Sequence, residues 1–162
     1  MFNNSQTIPG LMNVCLGGTF DPFHKGHEAL LRKAFEVAGP LGTVYIGITS
    51  DVLTKRKGEV HSFIERKQSV ERFLQKEGWK ERSRIRLLTD KYGPTIGGDF
   101  DAIVVTEETK PTADEINVQR QQIGKKPLQV IVIPFVLAGD SQPISSSRIR
   151  RGEIDVQGTV LG

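Results

Sequence analysis

Apolar residues along the chain fall into short dense runs, separated by stretches in which they recur every three or four positions. Asn13 to Leu16 begins an apolar run that ends in Gly17-Gly18, which predicts a buried strand followed by a glycine turn. From Lys25 the apolar positions Ala29, Leu30, Ala34, Phe35, Val37 and Ala38 keep helical spacing until Gly39-Pro40 stops them. TVYIGIT, from Thr43, is β-branched and aromatic and predicts a second strand. Phe63, Val70, Phe73 and Leu74 form the inner stripe of a helix with Gly78 as its stop. IRLLTD from Ile85, AIVVT from Ala102 and LQVIVIP from Leu128 predict three more strands, with a helix over roughly Ala113 to Ile123 between the last two. Strands that alternate with helices and are apolar almost throughout predict a parallel sheet covered on both faces. The expectation is one α/β domain over residues 13–162 with a five-stranded parallel sheet, behind a short leader of residues 1–12. In such sheets ligands collect at the carboxyl ends of the strands, around the switch point.

Composition narrows this only a little. Of 162 residues, 37% are hydrophobic and 25% charged, which predicts a folded chain rather than a disordered one. The formal charge of +3 is too mild to announce nucleic-acid binding, and the basic residues are scattered without interleaved aromatics. It suits a small protein with an anionic ligand. A single cysteine, Cys15, excludes an intrachain disulfide and reads as a small core residue in a reducing compartment. No apolar run approaches the roughly 20 residues that span a bilayer, the longest being interrupted by Pro134. The amino terminus lacks the basic and apolar regions of a signal peptide. A cytoplasmic protein with no membrane or nucleic-acid partner is expected.

The candidate chemistry is concentrated in GGTFDPFHKGH, Gly17 to His27. A helix starting near Lys25 would aim its free N–H groups and positive dipole end at the glycine turn, favouring an anion. His24 and His27 could donate to phosphate there, could cap the helix, or could bind zinc with His61 and Cys15. Neither GxGxxG nor GxxxxGK[ST] is present, so any phosphate cradle is of another kind. TKRKGEVH reads on composition as a solvated basic loop, and ISSSRIRRG as a helix N-cap with a basic first turn. Asn117 and Arg120 share a helix face, Glu107 to Thr109 leads into that helix, and Trp79 reads as a packing residue.

GTFDPFHKGH resembles the GTFDxxHxGH form of the HxGH signature of the nucleotidyltransferase superfamily, and ISSSRIR, Ile144 to Arg150, resembles its second signature, ISSSxIR. DKYGPT (Asp90 to Thr95), VVTEET (Val104 to Thr109) and INVQR with Asn117 and Arg120 are similar to the archaeal and eukaryotic type of phosphopantetheine adenylyltransferases. The resemblance runs from about Asn13 to Gly152 and departs from the bacterial type in the middle region, so the bacterial oligomer cannot be carried over; a monomer or small homo-oligomer is expected. It implies a Rossmann-like domain that transfers an adenylyl group from ATP to 4′-phosphopantetheine, giving dephospho-coenzyme A and pyrophosphate, with Mg2+ held mainly by the ATP phosphates.

By position, the resemblance implies that Thr19, with the backbone at Phe20 and Asp21, faces the substrate phosphate, and that Gly18, His24 and His27 face the nucleotide phosphates. Lys55 or Lys57 would neutralise charge at the reacting phosphorus. Thr106, Glu107, Asn117 and Arg120 would line the nucleotide or substrate side, with Asp90 and Tyr92 on the substrate side. Ser145, Ser146, Ser147 and Arg148 would hold the β- and γ-phosphates. His27, the loop lysine and Arg148 would then carry catalysis. A phosphate nucleophile is already ionised at neutral pH, so direct in-line displacement needs stabilised charge rather than a general base. The same two signatures serve transfer to nicotinamide mononucleotide, riboflavin phosphate or a phospho-alcohol, and a non-catalytic nucleotide-binding module stands as a rival of another class.

Overall fold

The computed structural model describes residues 11–54 and 60–162, so most of the leader and both candidate lysines, Lys55 and Lys57, lie outside the described residues. Five strands, β1 (Asn13–Gly18), β2 (Thr43–Thr49), β3 (Ser83–Leu88), β4 (Ala102–Thr106) and β5 (Gln129–Ile133), form one sheet. Their order is β3-β2-β1-β4-β5 and every pair is parallel. Among the described residues five α-helices accompany them: α1 (Lys25–Ala38), α2 (Asp51–Thr54), α3 (Phe63–Glu77), α4 (Lys110–Gln122) and α5 (Ser146–Arg150). The five-stranded parallel α/β expectation is met. Helix α4 starts three residues earlier than Ala113, because Pro111 occupies its first turn, where a backbone N–H has no helical partner to lose.

Strand parity explains why the strands read as continuous apolar runs. Successive side chains point to opposite faces. Val14, Leu16, Val44, Ile46, Ile48, Ala102 and Val104 face the core closed by α1 and α3, with Leu31, Ala34, Phe35, Val70, Phe73 and Leu74. Cys15, Ile103 and Val105 face the opposite way, onto Ala113 and Ile116 of α4. Both faces of the central strands are therefore buried, as their composition required, whereas the edge strand β3 leaves Arg84, Arg86 and Leu87 exposed. Trp79 packs at the rim of the first core, its ring 4.5 Å from that of Phe35. Removing a fully buried side chain such as Leu31 would cost about 2–5 kcal/mol.

Gly17 and Gly18 are not a turn. They are the last two residues of β1, paired with Gly47 and Ile48 of β2. What they supply is an absent side chain. A Cβ on Gly17 would lie 3.2 Å from Leu88, and one on the facing Gly47 would lie 2.8 Å from the same side chain. The bend in the chain falls later, at Phe20, whose φ of 56° lies in the left-handed region that a large side chain rarely enters. Because β1 sits between β2 and β4, its carboxyl end is the switch point of the sheet, where a crevice opens.

Candidate active site

A cleft of about 480 Å³ opens at that switch point, and it brings the two signatures together. Gly17 to Asp21, His24 and His27 form one wall; Ser145, Ser146, Ser147 and Arg150 form the other, with Thr106, Thr109 and Ile133 to Val136 between them. More than a hundred residues separate the two walls in the chain, so only the parallel sheet makes them neighbours.

The histidines are built into the start of α1. The backbone N–H of Gly26 donates to His24 Nδ1 at 3.0 Å, and the N–H of His24 donates to His27 Nδ1 at 3.2 Å. The two imidazoles therefore cap the helix reciprocally, in the manner of a Ser-x-x-Glu capping box. Burial holds His24 down to about 4, and burial together with the neighbouring His24 holds His27 well below the ordinary histidine value. Both rings are neutral at pH 7. A neutral imidazole that accepts at Nδ1 carries its proton on Nε2. Each ring thus keeps one N–H donor on the edge away from the cap, and both rings line the cleft. Capping and donation to phosphate are compatible rather than alternatives. The expected cradle of free backbone N–H groups is different in detail: Lys25 donates its N–H to the Val156 carbonyl, and Gly26 donates its N–H to His24. The helix start presents side-chain donors in place of two of its own.

On the facing wall, Ser145 caps α5 by accepting from the Arg148 N–H at 3.2 Å, and its hydroxyl stands 3.3 Å from that of Ser147. Arg150, which the sequence reading left out, lines the cleft and donates through Nη1 to the Asp21 carbonyl at 2.9 Å, tying the two signatures directly. Arg148 is occupied elsewhere. It pairs with Asp140 and Glu153 and donates to the Pro143 carbonyl, clasping the carboxyl-terminal segment. It ties the start of α5 to Asp140, Pro143 and Glu153 and is not among the residues that line the cleft. Glu107 is exposed outside the cleft, whose wall carries Glu108 instead.

Asn117 and Arg120 also turn away from the cleft. Asn117 exchanges two hydrogen bonds with the Leu128 backbone, at 2.9 and 2.7 Å. Arg120, buried, donates to the carbonyls of Lys126, Thr95 and Gly98 at 2.8 to 2.9 Å. Arg120 thus holds the YGPT loop at Thr95 and Gly98, Asn117 holds the chain at Leu128 ahead of β5, and neither lines the cleft. Asp90 caps the same loop, accepting from the N–H groups of Tyr92 and Gly93.

That loop closes a second cavity, of about 380 Å³, on the α4 face. Its walls are mostly apolar: Cys15, Tyr45, Leu88, Phe100, Ile103, Val105, Ala113 and Ile116, with Tyr92, Arg86 and Lys91 at the side of β3. Tyr92 Oη and Lys91 Nζ both donate to Glu115, at 2.8 and 2.9 Å. Cys15 is a core residue as expected, its thiol pushed up to about 12 by burial, and it also forms part of this wall. Cleft and cavity share a floor made of Gly17, Gly18, Thr49, Val104 and Thr109. The hydroxyl of Thr49 donates to that of Thr19 at 3.2 Å above this floor.

Asp21, although buried, accepts from both the N–H and Nδ1 of His61, at 2.5 and 2.8 Å, and its carboxylate holds the His61 imidazole above the ordinary value. His61 is therefore engaged with Asp21 and stands apart from the His24–His27 pair. Among the described residues no three of His, Cys, Asp and Glu come together in a metal-binding set. Nor is any described helix long and apolar enough to cross a membrane.

A parallel sheet with both signatures brought together at its switch point defines a nucleotidyltransferase-type protein, and the chain belongs to the cytidylyltransferase-like family, whose sequence pattern matches residues 15–152. Within that family it is similar to proteins named phosphopantetheine adenylyltransferase. The one from Methanosarcina mazei is 45% identical over 146 residues, covering 90% of this chain and 94% of its own. The one from Methanopyrus kandleri is 47% identical over 145 residues, covering 88% and 90%. A crystal structure of a protein of unknown function from Archaeoglobus fulgidus superposes with a TM-score of 0.69 at 33% identity, over 75% of this chain and 89% of that one.

Proposed function

We infer that this chain adenylylates 4′-phosphopantetheine with ATP, forming dephospho-coenzyme A and releasing pyrophosphate. The observation that carries the reading is the shared floor: a cleft lined by imidazole, hydroxyl and guanidinium groups meets a mostly apolar cavity, suited to an uncharged arm, at Gly17, Gly18 and Thr49. The name carried by relatives at 45% and 47% identity supplies the acceptor. ATP would lie in the cleft, with its phosphates between the histidine and serine walls. The pantetheine arm would lie in the apolar cavity, bringing its phosphate to the floor beside Thr19.

In the reaction, an oxygen of the acceptor phosphate attacks the α-phosphorus of ATP. One P–O bond forms as the bond to pyrophosphate breaks, and no protein group has to take a proton. His24 and His27 would donate through Nε2 to the phosphates, while Ser145, Ser147 and Arg150 would stabilise the charge that grows on departing pyrophosphate. Lys55 and Lys57 remain candidates for the charge-neutralising lysine by resemblance. The cleft offers hydroxyl, imidazole and guanidinium groups with one exposed carboxylate, Glu108, while both oxygens of Asp21 are taken by His61. This donor set fits a magnesium ion carried by the triphosphate, which would add charge neutralisation when bound. Cytoplasmic operation goes with this reading and with an unpaired Cys15.

The test is pyrophosphate release by purified protein with ATP, magnesium and 4′-phosphopantetheine, run beside nicotinamide mononucleotide, riboflavin phosphate and CTP with a phospho-alcohol. Turnover with 4′-phosphopantetheine alone is expected, and His27→Ala should lose turnover far more than ATP affinity. No product above that variant's level would refute the reading.

A further inference from the structure

Arg66 is a charged residue on the apolar stripe of α3, between Phe63 and Val70, and it is 1% exposed. Its donors reach four acceptors in three segments of the chain. Nε donates to the His61 carbonyl at 2.8 Å. Nη1 donates to the Thr19 carbonyl at 3.1 Å and to Thr49 Oγ1 at 3.2 Å. Nη2 donates to Asp51 Oδ1 at 3.2 Å. Asp51 is 63% exposed, so its carboxylate stays largely in water and the cation itself is what has been buried.

Burying a guanidinium is rarely the stable way to fill a core, because an apolar side chain of similar volume usually serves at least as well. What the guanidinium adds is a fixed fork of donors. One prong holds the carbonyl of the peptide that joins Thr19 to Phe20, and that peptide sets the φ of 56° at Phe20. A phenylalanine keeps such a conformation only where its surroundings enforce it. The next residue, Asp21, is held by Arg150 at its carbonyl and by His61 at its carboxylate. Thr49, another acceptor of Arg66, stands on the floor shared by cleft and cavity and donates to Thr19.

We propose that Arg66 is a positioning residue of the transfer reaction, its guanidinium locking the Thr19–Phe20 backbone and Thr49 to α2 and the start of α3, so that both phosphates meet in line at the floor. Buried as it is, Arg66 touches neither substrate. The proposal rests on the adenylyl-transfer reading, and wild-type turnover is measured first for that reason: a wild type that makes no dephospho-coenzyme A overturns both.

With an active wild type, Arg66→Lys is compared by steady-state kinetics, ATP binding calorimetry and thermal unfolding. Lysine keeps the charge but cannot satisfy four acceptors in four directions. The expected result is a kcat lower by roughly 10- to 100-fold, the range typical of lost supporting contacts, with the Kd for ATP within about threefold. Asp51→Ala, on an exposed side chain outside both cavities, removes one anchor of the guanidinium together with the acceptor of the Phe63 N–H at 2.7 Å, and should lower kcat by roughly three- to tenfold. The two effects should be less than additive in the double variant. A purely structural role would lower the unfolding temperature and leave kcat of the folded protein unchanged. A folded Arg66→Lys with kcat within about twofold of wild type overturns the proposal. Should Arg66→Lys fail to fold, Asp51→Ala decides alone, and an unchanged kcat there overturns it equally.

Discussion

Replacing His24 by aspartate separates the cap that this residue forms from the phosphate donation proposed for it. As a cap, His24 accepts the Gly26 N–H at 3.0 Å through Nδ1. Aspartate is among the best N-cap residues and is favoured further by the helix dipole, so His24→Asp should keep the start of α1 folded. His24→Ala leaves that N–H without its acceptor, and the two variants should differ by about 1 kcal/mol in unfolding free energy. As a donor in the cleft, the same position faces the opposite requirement. A carboxylate about 4 Å from a phosphate charge, at an effective dielectric of about 20, adds about 4 kcal/mol of repulsion, or close to a thousandfold in affinity. The expected order is therefore inverted between two assays. Urea unfolding at pH 7.5 should rank His24→Asp above His24→Ala, whereas calorimetric titration with ATP should rank it far below. His24→Asn, a neutral cap with an amide donor, should satisfy both. ATP binding by His24→Asp within about threefold of wild type would refute the placement of the imidazole against the triphosphate, and equal stability of the aspartate and alanine variants would refute the cap.

Three further outcomes follow from the geometry. The unfolded chain protonates His24 near 6.5 and the folded chain near 4, so the unfolded state binds the extra proton between those values; stability should hold above pH 6.5 and fall as pH drops toward 4, by about 3 kcal/mol from His24, with His27 acting in the same direction, measured as denaturant midpoints at pH 7.5, 5.5 and 4.5. Gly47→Ala sets a Cβ 2.8 Å from Leu88 and pushes that side chain into the apolar cavity, so KM for 4′-phosphopantetheine should rise while that for ATP is unchanged in initial-rate kinetics. Asn117→Ala unpairs the N–H and C=O of Leu128 and should cost about 1–3 kcal/mol in chemical unfolding, with ATP affinity of the folded protein retained.

Much of the fold was legible because its signals are local. β-branched runs and helical spacing mark each main strand and helix, and Gly39 and Gly78 close α1 and α3 as read. The pairing of the two signatures was legible as motif resemblance, although the sheet alone makes them adjacent. The direction of individual polar side chains was not. Arg148 and Arg150 lie two positions apart on a short helix, roughly 200° around its axis, and only the one left out enters the cleft. A usable signal did exist for the buried arginines. Arg66 sits three residues after Phe63 and four before Val70, and Arg120 sits four after Ile116, so each occupies the apolar stripe of its helix. A charge on a buried stripe must find several acceptors, which marks it as a tie between segments rather than a hand toward a ligand.

The floor common to cleft and cavity has one more consequence. In the proposed placement each substrate would fill a single compartment and the product would span both, with its nucleotide end in the cleft and its pantetheine arm in the cavity. The product is thus a two-headed ligand whose second head binds at high local concentration once the first is seated. An architecture that aligns two reactants on one floor in this way would grip their union more tightly than either part, and a burst of dephospho-coenzyme A in the first turnover, ahead of a slower steady state, is the outcome expected of it.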